Sequence, residues 1–270
     1  MRRINEAMRR EIEKAGEAGV YCWERGWAEG NGGNISVDLT EICSDVLPSK
    51  AELAGYEALP ISDLPPDSEG KVFYVKGTGR RLRELRDPEY GGGIIAIGPG
   101  AKSYSVLWGG LAMDHFRPTS EFPSHVLMHM RKGRLHSACR AVVHTHPIEL
   151  ICLTHHPDLF SDSEELTRRL WAMSPEIRAF VPKGIAALPY ILPGSIGLAE
   201  ATSDAIQTRD VVLWGKHGAL AMGPDALEAF DLIDVANKGA LMYLKCLSSG
   251  YEPIGMSKAE TEELARVFKL

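Results

Sequence analysis

The chain has no CxxC pair: its five cysteines, Cys22, Cys43, Cys139, Cys152 and Cys246, are scattered and odd in number. That excludes a disulfide framework and a cysteine-held zinc site, and leaves small core residues as their expected role. An HExxH motif is missing, so a zincin-type protease is not supported. There is no excess of positive charge either, since 30 Lys and Arg against 36 Asp and Glu leave a formal charge of −6. A general nucleic-acid surface is therefore not expected, and any bound anion must be captured locally. No apolar run approaches the length of a membrane span. After Met1-Arg2-Arg3 the chain continues into Ile4-Asn5-Glu6 and charge, without the apolar stretch of a secretory signal, which predicts a reduced, cytoplasmic setting. Repeats, low-complexity stretches and linkers are absent, and one domain over residues 1–270 is the expectation.

What is present reads as an α/β protein. Ile4, Met8, Ile12 and Ala15 recur at helical spacing with charge between them, predicting an amphipathic surface helix. Glu29-Gly30-Asn31-Gly32-Gly33-Asn34 is a glycine-rich turn that feeds the alternating run Ile35–Leu39. Val72–Val75, Gly93–Ile97 and Tyr104–Trp108 predict an antiparallel meander. Thr119 to Met130 reads as helical and Arg140–His144 as a strand. Val211–Trp214 and Ala219–Met222 flank Gly215-Lys216-His217-Gly218 as a hairpin, and a long helix carries Ala226, Phe230, Ile233, Asn237, Leu241 and Leu244 on one side. The proline-rich residues 44–70 predict a surface excursion.

His144-Thr145-His146 places two imidazoles on one face of an extended backbone, because the side-chain period of a strand is two. The pair alone is a weak motif. His217, in a hairpin with little apolar packing to do, is a candidate third ligand; its plainer reading is a turn residue in the left-handed region. Three histidines leave a fourth position open, as in catalytic zinc sites. His125 and His129, spaced i, i+4 on a helix, are a rival pair, with a packed helix face as their favoured reading. His155-His156 reads as loop.

Thr119, Ser120 and Glu121 stand where a helix starts, an N-cap with a first-turn acid unless a metal is close. Near a metal the hydroxyls and helix N–H groups receive an anion and Glu121 becomes a candidate base. The Asn31–Asn34 turn lacks the lysine of a P-loop and is no GxGxxG, so nucleotide binding is not expected. It reads either as a strand-entry turn or as a phosphate cradle, with Gly77-Thr78-Gly79 as a second such loop; Arg80 and Arg81 read as a solvated edge.

These residues, with Gly26-Trp27, Pro118, Pro123, His125, Leu170-Trp171 through Glu176, Leu192-Pro193-Gly194 and His217-Gly218, stand in an order and spacing that resembles the class II aldolase/adducin family nearly end to end. The resemblance implies a three-layer α/β/α single domain with a central, mostly antiparallel sheet, assembled as a homotetramer with active sites at subunit interfaces. It implies one zinc per subunit on His144, His146 and His217, and a phosphate held by Asn31, Gly33, Asn34, Gly77, Thr78, Thr119 and Ser120. Glu121 matches the family's catalytic carboxylate and Glu176 an acid delivered from the neighbouring subunit. The implied reaction is retro-aldol cleavage of L-rhamnulose 1-phosphate to dihydroxyacetone phosphate and L-lactaldehyde. An L-fuculose-phosphate aldolase or an L-ribulose-5-phosphate 4-epimerase on the same scaffold remains open, as does an adducin-like interaction domain without catalysis. A zinc hydrolase fits the histidines but not two phosphate loops.

Overall fold

A computed structural model describes residues 4–48, 50–53, 55–132 and 136–270. Met1-Arg2-Arg3, part of the reading of the leader above, lies outside the described residues, as do positions 49 and 54 of the proline-rich segment.

The strands are β1 (Asn34–Asp38), β2 (Leu59–Pro60), β3 (Val72–Lys76), β4 (Gly92–Ile97), β5 (Ser103–Gly109), β6 (Ala141–Thr145), β7 (Ile185–Leu188), β8 (Val211–Trp214) and β9 (Gly218–Gly223). They form one sheet in the order β2-β5-β4-β3-β1-β6-β9-β8-β7. Every pairing is antiparallel except β7 with β8, whose parallel register needs the crossover that the helix Ile196–Ala205 supplies.

Helices cover both faces. The strand period of two sends Ile35, Val37, Ala141 and Val143 into one core, with Met8 and Ile12 of the helix Glu6–Glu24 and Phe230 and Ile233 of the helix Ala226–Ser248. Val142, Val212 and Leu220 go to the opposite face, against Met128 of the helix Phe122–Arg131 and Leu198. Phe73, Val75 and Ile95 pack on that second face with Phe122 and Val126. Burial on both sides explains why the central strands read as almost continuous apolar runs. The expected three-layer arrangement is the observed one.

Three expectations need correction. The 44–70 segment is more than a surface excursion: Leu59 and Pro60 pair with Tyr104 and Ser103 as an edge strand, a position where the missing proline N–H is harmless. Cys22, Cys43 and Cys139 are buried, but Cys152 is exposed, because the short helix Ile148–Leu153 turns Leu150 and Leu153 inward and Cys152 out. Arg80 is no freely solvated edge; its guanidinium lies over Tyr90 and pairs with Glu84 at 3.0 Å. No described helix is long and apolar enough to cross a membrane.

Candidate metal and acid–base site

β1, β6 and β9 are neighbours in the sheet, and their ends build the site. Asn34 sits opposite His144, and His144 opposite Leu220. The β8–β9 turn brings His217 over the end of β6. Its left-handed residue is Lys216, with φ 61°, so His217 is free of the turn-residue role. Each of His144, His146 and His217 offers a ligand atom, all within 4.8 Å of one another. Gly218 permits this approach: a Cβ there would lie 2.9 Å from both the His144 and His146 rings.

Hydrogen bonds choose the tautomers. His144 Nδ1 lies 3.0 Å from the Ala219 carbonyl oxygen, which only accepts, so the proton is on Nδ1 and the lone pair on Nε2. Among the described residues, that Nε2 is buried with no partner, as is His217 Nδ1. Buried polar atoms without partners are rare in native proteins, and here two belong to rings of the three-histidine cluster. Burial, followed by the neighbouring His146 and His217, holds the His144 pKa well below its ordinary value; burial also lowers that of His217. Neutral imidazole is the form that binds metal. His146 Nδ1 donates to Glu29 Oε1 at 2.7 Å, leaving its Nε2 toward the cluster.

Glu121 occupies the N-cap position of the helix Phe122–Arg131 but makes no capping bond. Instead its Oε2 accepts from Asn34 Nδ2 at 2.6 Å and lies 3.7 Å from His144 Nε2. Glu121 is 8% exposed. From there a polar ladder runs along one face of β1. Asn34 meets Glu121, and Ser36 Oγ lies 2.8 Å from His125 Nδ1 and 2.9 Å from His129 Nε2. The match is geometric, since two strand residues advance about 6.6 Å and four helix residues about 6 Å. His125 and His129 therefore stay out of the metal cluster.

The two glycine-rich loops are linked through Lys76, and the Gly77 loop also lies against the 117–119 segment. Thr78 N–H donates to the Arg117 carbonyl at 2.8 Å and Thr119 N–H to the Lys76 carbonyl at 2.9 Å, while Gly77 bridges to Pro118. The buried Lys76 ties them underneath, its Nζ donating to the Asn31 carbonyl at 3.0 Å and the Arg80 carbonyl at 2.6 Å. Burial lowers its pKa to about 8, against the opposing pull of Glu121. Asn31 and Ser120 are exposed, and Gly33, Gly77 and Thr119 are buried. At Gly33, φ is +72° and a Cβ would meet the His144 carbonyl oxygen at 2.9 Å, so only glycine fits.

Glu176 is not brought to this cluster. It is exposed in the short helix Pro175–Phe180, hydrogen-bonded to Ser174; among the described residues no hydrogen bond or ion pair joins it to the histidines or Glu121. A cavity of about 530 Å³ lies beside the site and meets it only through Thr119 and Ser120, with Arg117, Arg131 and Glu200 on its other walls. The convergence of partnerless donors at the histidines, and not cavity size, marks where chemistry is built. Sequence reasoning missed Lys76 and Glu29. Lys76 ends an apolar strand with nothing local to mark it as buried, and Glu29 carries no spacing signal to His146.

The chain matches the model of the class II aldolase and adducin N-terminal domain over residues 15–244. It is 42% identical over 265 residues to a rhamnulose-1-phosphate aldolase of Bacteroides thetaiotaomicron, covering 98% of this chain and 96% of that one. A rhamnulose-1-phosphate aldolase of Klebsiella pneumoniae is 36% identical over 249 residues, covering 90% and 85%. Among solved structures, a sugar-phosphate aldolase from Thermotoga maritima superposes with a TM-score of 0.72 at 31% identity, covering 92% of this chain and all of that one. With a three-histidine cluster, an adjacent buried carboxylate and these likenesses across almost its whole length, the chain belongs to the class II aldolase and adducin family.

Proposed function

We propose that the chain, acting as one catalytic domain over residues 1–270, cleaves L-rhamnulose 1-phosphate to dihydroxyacetone phosphate and L-lactaldehyde with one zinc ion per subunit. The observation that carries this reading is the Glu121 carboxylate 3.7 Å from His144 Nε2, at a cluster of three histidines. The donor set fits a divalent cation: His144 Nε2 and His217 Nδ1 are buried and partnerless, and neutral imidazoles suit zinc. When bound, the metal supplies Lewis-acid stabilisation of the negative charge that breaking C3–C4 leaves on the dihydroxyacetone phosphate fragment.

The protein's own residues do the rest. Asn34 holds Glu121 by its Oε2, aiming the carboxyl to deliver a proton to the carbon of that fragment, or to remove it in the synthetic direction. Asn31, Gly33 and Asn34, with Gly77, Thr78, Thr119 and Ser120, hold the phosphate, an assignment supported by the bonds between the 77–78 and 117–119 segments and by Lys76, which bonds the Asn31 carbonyl. Glu176 handles the aldehyde-side oxygen in a neighbouring subunit of a homotetramer. Two observations support that arrangement: its exposure away from its own chain's site, and the partial exposure of His146 and His217. The absence of disulfides among the five thiols suits a cytoplasmic setting.

Fuculose-phosphate aldolase and ribulose-phosphate epimerase make or break a comparable bond; likeness to relatives named for rhamnulose 1-phosphate favours the first reading. Intact histidines and Glu121 speak against a non-catalytic module. Assaying L-rhamnulose 1-phosphate, L-fuculose 1-phosphate and L-ribulose 5-phosphate side by side, with and without a chelator, tests the proposal. Rhamnulose 1-phosphate should be cleaved fastest, activity should vanish with the chelator and return with zinc, and Glu121→Gln should lower turnover by about 10²–10⁴ with zinc content unchanged. Chelator-resistant cleavage, a different preferred substrate or a fully active Glu121→Gln overturns it.

A further inference from the structure

Glu29 has no part in the chemistry above, yet its Oε1 accepts the Nδ1–H of His146 at 2.7 Å although 71% of its side chain is exposed. A surface pair of this kind adds little to folding stability. Its effect is on the ring. With the proton held at Nδ1, the lone pair is at Nε2, and a carboxylate in that place strengthens the ring as a donor. His144 is held by the Ala219 carbonyl, a neutral group within the sheet. His146 is held by a charged group, and by a loop.

That loop is the Asn31–Asn34 turn. The Glu29 carbonyl accepts Gly32 N–H at 2.8 Å. Gly32 lies so close to His146 that a Cβ would come within 2.9 Å of Cε1. Just before the turn, the Trp27 carbonyl accepts both His146 N–H at 2.9 Å and Thr145 Oγ1–H at 2.8 Å. At its end, Asn34 holds Glu121. Residues 27–34 thus touch a metal-ligand candidate, the acid–base candidate and the donors assigned to phosphate.

We propose that Glu29 is a positioning residue for the metal and that it couples the metal site to the phosphate loop. Closing the turn around a phosphate holds Glu29 on His146 and raises metal affinity. Metal on His146 orders the turn for phosphate, and the two effects are equal by thermodynamic reciprocity. The coupling rests on the phosphate reading of the turn; the action of Glu29 on His146 does not.

Zinc affinity of the full chain, read by competition with a chromogenic chelator with and without inorganic phosphate, tests this without using turnover. Glu29→Ala should weaken zinc binding about ten- to hundredfold, as loss of an outer partner does. Glu29→Gln, which keeps an accepting oxygen without the charge, should fall between. Phosphate should tighten zinc binding severalfold in the natural chain and not in Glu29→Ala. Unweakened zinc binding in Glu29→Ala overturns the positioning role. An enhancement by phosphate that survives Glu29→Ala undiminished, or is absent from the natural chain, overturns the coupling. Failure to cleave any ketose phosphate sinks the functional reading instead, and leaves the zinc titrations interpretable.

Discussion

His144 with His146 at the end of β6 and His125 with His129 on a helix are both spaced to share one metal ion, and they end in opposite chemical situations. On the strand pair, outer acceptors take the Nδ1 protons and turn the remaining nitrogens inward, where His217 joins them. On the helix pair, Ser36 takes one nitrogen from each ring, and the outward nitrogens are left buried and unpartnered. His144, His125 and His129 are all buried, while His146 is partly exposed. Burial lowers the pKa of His125 to about 3 and of His129 to about 4, just as it lowers that of His144. The difference teaches that spacing and neutrality are not enough: a metal site needs lone pairs that converge, and the hydrogen-bond partners on the far side of each ring decide that.

The comparison is broken most directly by removing one ring from each pair. His144→Ala should bring bound zinc close to zero and lower turnover by about a thousandfold or more, given the several kcal/mol a Lewis acid supplies. Elemental analysis with a retro-aldol assay checks it, and full zinc content in that variant would place the metal elsewhere.

Acid should expose the burial of the helix pair. Unfolded histidines titrate near 6.5, while folded His125 and His129 resist protonation down to about 3 and about 4. Between those values the unfolded chain binds more protons, so stability is lost as pH falls below 6.5. The loss should be roughly 2 kcal/mol per histidine between pH 7 and pH 5, readable as a fall in the urea midpoint of metal-free protein. A flat profile would contradict the burial of these rings.

His129→Ala should keep its zinc, lose about 1–3 kcal/mol of stability by leaving the Ser36 network half satisfied, and flatten part of the acid slope. The smallest effect is expected in the loop proposed to hold the phosphate, where Asn31 is exposed. Asn31→Ala should raise KM about tenfold with kcat little changed, equivalent to about 1.4 kcal/mol of binding. An unchanged KM would remove Asn31 from the phosphate site.

Legibility in the sequence followed locality. The strands β1, β3 to β6, β8 and β9 carry β-branched or alternating runs punctuated by glycine, and were readable within a residue or two. β7 was not, because Ile185-Ala186-Ala187-Leu188 is too short and plain to stand out, and its pairing with β8 defines it. β2 was hidden by its proline. In the site, the HxH pair, His217 and Glu121 were readable as candidates; Lys76 and Glu29 were not, since their partners lie 45 and 117 residues away.

The sequence by itself determined that two imidazoles share a face at 144 and 146, that glycine surrounds Asn31 and His217, and that a carboxylate stands at a helix start. These follow from backbone period and glycine's freedom, which operate over a few residues. Only the tertiary structure decided that His217 and not His125 completes the cluster, that Glu121 turns from its helix end to Asn34, and that Glu29 and Lys76 serve the site. Those outcomes depend on which strands lie side by side, and strand order is set by burial across the whole sheet.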